Sequence, residues 1–194
     1  MSVQAGAFGK SRRPVKRPLL EVVAEVLVAR PAASLAEVAE AAGISRTTLH
    51  KQYATRDDLV RAAGVWATDR WEQAVDRVAD RPGTRAGLRE LFAVVIESAP
   101  HLGFLWRNPA FDEDQELAQR YIAVELRCLA VLDRARSEGL IAASTPNWWM
   151  LQTMYGLAYT AWESVAAGKL APLDAPDLVL RTLLHGLGAP EQTG

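Results

Sequence analysis

The chain has 194 residues, 49% of them hydrophobic, with one cysteine and a formal net charge of −1. This length and composition suit a folded protein with a substantial core and exclude a disordered or fibrous one, while a single cysteine excludes a disulfide within the chain. The overall balance hides an asymmetry: residues 1–56 carry nine Lys or Arg against four Asp or Glu, and residues 57–194 carry thirteen against nineteen, so a head at +5 precedes a body at −6.

Residues 1–17 contain Gly, Ser and Arg without an apolar run, which predicts a mobile basic tail and no signal peptide, as in a cytoplasmic protein. Its Arg12, Arg13, Lys16 and Arg17 are suited to following phosphates or entering a minor groove, or simply to solvation. The segment LLEVVAEVLVA predicts an apolar helix. After the short connection ARPAAS, Ser34 with Glu37 has the S-x-x-E form of a capping box. A helix therefore starts near Ser34, carries Leu35, Val38, Ala39 and Ala42 on one side, and ends at Gly43. Ser45 caps the next helix, with Leu49 and Tyr53 turned inward and Arg46, Thr47, Thr48, His50, Lys51 and Gln52 outward. Two helices joined by so short a turn cross steeply, which requires a small contact residue, and Ala39 supplies it. Side chains of the outward types bond phosphates, donate to purine edges or touch a thymine methyl. The same pattern also fits an ordinary helical hairpin with one solvated face.

The run AEVAEAAGISRTTLHKQYATRDDL, behind the apolar helix, resembles the DNA-binding domain of TetR-family transcriptional regulators. The resemblance rests on Ala39, on Ala42-Gly43-Ile44-Ser45 at the turn, on Thr48-Leu49, and on Tyr53, Arg56 and Leu59. The chain departs from the usual pattern with Thr47 in place of a common Gly, His50 in place of Tyr and Arg56 in place of Lys. The resemblance implies a three-helix helix-turn-helix head, an all-helical C-terminal regulatory domain, a homodimer, and release from DNA on binding a small effector. It places DNA contacts at Ser34, Ser45, Arg46, Thr47, Thr48, His50, Lys51, Gln52, Tyr53 and Arg56.

Further along, Thr55 with Asp58 repeats the capping signature and opens a long helix through Leu59, Trp66, Trp71 and Val78, ending before Pro82-Gly83. Thr84 caps a helix through Leu88, Phe92 and Ile96 that is expected to stop at Pro100, followed by a short element around residues 102–107. Asp112 is expected to start a long helix ending at Gly139, and Thr145-Pro146 to start one running from Asn147 to Ala167. Asp174 with Asp177 opens the last helix, which ends near Leu187. No segment alternates as a strand would, so the predicted fold class is all-α. The expected parts are the tail 1–17, a helix-turn-helix domain 18–60, and a helical effector-binding and dimerisation domain 61–190.

The helix from Asn147 is apolar almost all round, which predicts burial on two sides with a partner subunit as the second cover. The alternative is one fully buried core helix. Expected dimer contacts are Ala158, Ala161, Trp162, Val165, Leu180, Leu183, Leu184 and Leu187. A membrane span is not expected, because the uncharged run 146–162 is shorter than the ~20 apolar residues a bilayer needs. Candidate walls of an effector pocket are Phe92, Leu102, Phe104, Trp106, Phe111, Tyr121, Trp149, Met154 and Tyr155, with Glu97, His101, Asn108 and Gln152 as polar anchors. Cys128 falls in the apolar register of its helix, and the three histidines are scattered. No catalytic, metal or cofactor motif is present, so neither enzyme activity nor a cofactor is expected. The predicted function is a DNA-binding regulator, a repressor released from a palindromic operator by a small apolar or aromatic effector. The competing reading is a dimeric helical small-molecule carrier whose head no longer recognises DNA.

Overall fold

The structure, a computed structural model, describes residues 17–106, 108 and 110–187, with the side chains of residues 110, 112 and 187 outside the description. The expected tail, apart from Arg17, and the proposed contact of Leu187 therefore lie outside the described side chains. The described residues form nine α-helices and no strand. The chain is all-α.

Three short helices make the head: α1 (Leu19–Ala29), α2 (Leu35–Ala41) and α3 (Arg46–Gln52). The capping box at Ser34 forms in full, with the Ser34 hydroxyl accepting from the Glu37 amide at 3.3 Å and the Glu37 carboxylate accepting from the Ser34 amide at 2.8 Å. Gly43 has φ 64°, which a side chain would strain. It lets the Ile44 amide reach back to the Ala39 carbonyl at 3.0 Å and its own amide reach Glu40 at 3.0 Å, closing α2. Gly139 and Gly168 close two later helices in the same way.

Helix α4 (Arg56–Asp76) starts on a second full capping box, Thr55 with Asp58, and ends before Val78. Its first half, Leu59, Val60, Ala63 and Ala67, packs into the head core around Val23, Val38 and Leu49. Its second half, Trp71, Ala74 and Val75, packs into the body core. A boundary at residue 60 thus falls inside a continuous helix, and the packing changes hands between Ala67 and Trp71.

The body comprises α5 (Arg85–Trp106), the short α6 (Ala110–Glu113), α7 (Gln115–Ser137), α8 (Asn147–Ala166) and α9 (Ala175–Leu187). Helix α5 lies at the centre, against α1, α4, α7, α8 and α9. It runs through Pro100 instead of stopping there. Proline removes one backbone donor and crowds the preceding turn, but buried Ala99 and Leu102 on either side keep the helix in register with its neighbours. The element expected at 102–107 is thus the end of α5. Likewise α7 starts at Gln115 and not at Asp112, because Asp114 supplies the cap, accepting from the Leu117 amide at 3.2 Å. At α8, Pro146 itself occupies the cap position and no side chain caps the helix.

A seam of ion pairs ties α4 to α7. Arg120 bridges Asp69 at 2.5 Å and Glu72 at 2.7 Å, Arg61 meets Asp114 and Glu116, and Arg127 pairs with Asp76. The Arg120 guanidinium holds the Glu72 carboxyl below its usual range.

Much of the apolar surface of α8 finds cover within one chain, from α5, α7 and α9, while Trp148 and Trp149 at its start remain exposed. Ala158, Ala161, Leu180 and Leu183, expected at a dimer contact, are buried in this core. Their burial needs no partner, so a charge at Leu183 or Ala161 would damage the subunit itself. Trp162, Val165 and Leu184 are half-buried at its margin.

Candidate functional site

Helix α3 is held by its ends and its single buried residue. The Ser45 hydroxyl accepts from the Thr48 amide at 3.0 Å and lies 2.8 Å from the Thr48 hydroxyl, while Leu49 is fully buried and Tyr53 packs against the head core. Arg46, Thr47, Thr48, His50, Lys51 and Gln52 are exposed. The Arg46 Nε donates to His50 Nε2 at 3.4 Å, so these two side chains share one ridge of the helix. Ser34 is engaged in its capping box. Arg56, expected as a phosphate contact, is turned to another use: its guanidinium donates to the carbonyls of Ala33 at 3.1 Å and Pro31 at 2.5 Å. That contact pins the short turn between α1 and α2 to the start of α4.

In the body, a cavity of about 540 Å³ opens between α5, α7 and α8. Trp106, Tyr121 and Tyr155 line it as expected, with Gln152 as a polar group. The Trp106 ring meets Tyr155 edge-on at 5.1 Å, and its Nε1 donates to the Tyr121 hydroxyl at 2.8 Å. A smaller cavity of about 180 Å³ lies beyond, lined by Thr68, Phe111 and Leu117. Trp106 and Tyr121 border both, so they form the partition between them. Burial pushes the Tyr121 hydroxyl up to about 12 and that of Tyr155 higher still, so both stay neutral at ordinary pH.

The other expected walls are elsewhere. Phe92, Leu102 and Met154 are fully buried in the body core, Phe104 packs edge-on to Phe111 at 5.4 Å in the head cluster, and Trp149 stands half-exposed beside Trp148 at the start of α8. Helical spacing identified them as inward without distinguishing core from cavity. Glu97 is exposed and pairs with Arg77 at 3.2 Å, and Asn108 sits at the turn between α5 and α6. His101 lies edge-on to Trp66 at 4.9 Å in a separate groove, where burial lowers its pKa. Sequence reasoning missed Tyr159, Gly103, Gly156 and Glu125, which all line the larger cavity. Glu125 carried a signal: it is an acid beside Val124 and Cys128 on the apolar side of α7.

Whole-chain comparison extends these local features. The HTH-type transcriptional repressor LfrR of Mycolicibacterium smegmatis is 27% identical over 187 residues, 96% of this chain and 95% of its own. The HTH-type transcriptional regulator NfxB of Pseudomonas aeruginosa is 27% identical over 184 residues, 90% of this chain and 95% of its own. The crystal structure of the TetR-like regulator LfrR from Mycobacterium smegmatis in complex with proflavine superposes with a TM-score of 0.72 at 25% identity, covering 89% of this chain and 95% of that one. Over nearly its whole length this chain is thus similar to TetR-like transcriptional regulators. No family model matches it. The ketosteroid regulator KstR2 of Mycobacterium tuberculosis, at 18% identity and a TM-score of 0.69 over 89% of this chain and 94% of its own, shares the fold. The relatives are regulators rather than enzymes. Among the described residues no group of His, Cys, Asp or Glu is arranged to hold a metal, and no helix is long and apolar enough to cross a membrane.

Proposed function

We propose that this TetR-like chain is a cytoplasmic repressor that binds a palindromic operator as a homodimer and leaves it when a small apolar or aromatic effector enters the body cavity. The observation that carries this reading is the α3 face: a capped helix, anchored by Leu49, that presents Arg46, Thr47, His50, Lys51 and Gln52 together. Arg and Gln make two-pronged contacts with guanine and adenine edges, while Lys51 and His50 suit phosphates. The aromatic cavity supports the sensor half, as does the presence of proflavine in the LfrR structure. Exposed Trp148, Trp149 and Leu178, with half-buried Trp162 and Leu184, all on α8 and α9, support a homodimer through these helices.

Selection from random duplexes tests the DNA half. The expected product is a palindrome with half-sites about 34 to 36 Å apart, or a multiple of that. Return of no enriched sequence would favour the carrier reading instead. Screening apolar and aromatic compounds for release of the selected duplex then tests the sensor half.

A further inference from the structure

The larger body cavity combines aromatic walls with a single carboxylate. Trp106, Tyr121, Tyr155 and Tyr159 present rings to it, and among the described residues Glu125 is its only carboxylate and no Lys, Arg or His lines it. Glu125 is half-buried, and burial pushes its carboxyl above the usual range, with Tyr121 hydrogen bonding opposing part of that shift. The basic residues nearest to it on α7 are committed elsewhere: Arg120 to Asp69 and Glu72, and Arg127 to Asp76, all on α4. A carboxylate withdrawn from water without a cation is unfavourable, and a cation arriving beside it gains both the charge pair and the ring faces.

The space is also cleared for a flat body. Gly103 on α5 and Gly156 on α8 both line the cavity. A Cβ placed on Gly156 would meet nothing within 4 Å, and one on Gly103 would meet only the Tyr159 ring at 3.8 Å. The volume of about 540 Å³ lies within the range of small-molecule sites.

We propose that the ligand of this cavity is an organic cation with an aromatic body, its charge paired with Glu125 and its body stacked among Trp106, Tyr155 and Tyr159. This rests on the reading of the body as an effector sensor and adds the sign of the effector's charge. Glu125 selects for charge, while the rings supply affinity that a neutral ligand of the same shape shares.

The test is calorimetric titration of the full chain with N-methylacridinium, a fixed cation, and with acridine, its neutral counterpart at mildly alkaline pH. The wild type is expected to bind the cation about tenfold more tightly than acridine, as a charge-assisted contact provides. Glu125→Gln keeps the side-chain volume and is expected to erase that preference by weakening the cation alone. Gly156→Leu is expected to weaken both probes while the melting temperature holds. Equal binding of the two probes, a cation preference that survives Glu125→Gln, or binding of neither probe would overturn the inference. The sensor reading fails separately: a Glu125-dependent cation that leaves DNA affinity unchanged would refute sensing and keep the cavity chemistry. A neutral compound that releases DNA while the cation is inert would do the reverse.

Discussion

In the head, three short helices close on Val23, Val38 and Leu49, and a hydrogen bond or a glycine visible in the sequence fixes each turn; in the body, long helices enclose a larger core that leaves open space beside Trp106 and Tyr121. A helix of seven residues is marginal alone, so α2 and α3 depend on the Ser34 and Ser45 caps, the Gly43 turn and one fully buried leucine. A body helix of twenty residues has many contacts and tolerates irregularities, including a proline inside α5 and a cavity beside it. The head has little slack, and its exposed α3 face is correspondingly well defined. The body has slack, which gives a ligand room to act.

The comparison predicts graded responses to substitution. Leu49→Ala is expected to be the most damaging, at about 2 to 5 kcal/mol, because it empties the centre of the head. Thermal unfolding would show it, together with loss of DNA binding. Gly64→Ala comes next and probes the shared helix α4. A Cβ there would lie 2.5 Å from Cε1 of Phe111, so the ring has to move, at a cost of about 1 to 3 kcal/mol. Chemical denaturation of this variant and of its combination with Phe111→Leu would show non-additive effects if the contact is direct. Thr55→Ala removes the cap of α4 and is expected to cost about 1 kcal/mol by the same measurement. Gly156→Ala is the smallest effect and has the opposite sign. It adds a side chain to open space within α8 and is expected to stabilise the fold by up to about 1 kcal/mol, read as a raised melting temperature. Equal sensitivity at Leu49 and Gly156 would erase the distinction between the two regions.

Legibility in the sequence followed the same division. The caps at Ser34, Ser45 and Thr55 and the closing glycines at Gly43, Gly139 and Gly168 are local devices, each written in a few adjacent residues, and all of them form. Pro100 misled because the reason α5 continues lies in residues distant along the chain. On α8, periodicity shows that a face is apolar without showing whether α9 or another chain covers it, and Ala158 and Ala161 are covered within the chain. The aromatic walls were only partly legible. Phe92 and Met154 share the inward register of Trp106 and Tyr155, and whether an inward residue meets a neighbour or a void depends on how α5, α7 and α8 splay. The role of Arg56 was hidden because its acceptors are backbone carbonyls, which leave no trace in residue type.

The most direct test of the account is fluorescence anisotropy of a selected duplex titrated with the wild type, Lys51→Ala and Arg46→Ala over a series of salt concentrations. Loss of Lys51 is predicted to weaken all sequences alike and to lower the salt slope by about one, while loss of Arg46 is predicted to relax preference at particular base pairs. Unchanged affinity, salt slope and base preference in both variants would contradict the claim that the α3 face reads DNA.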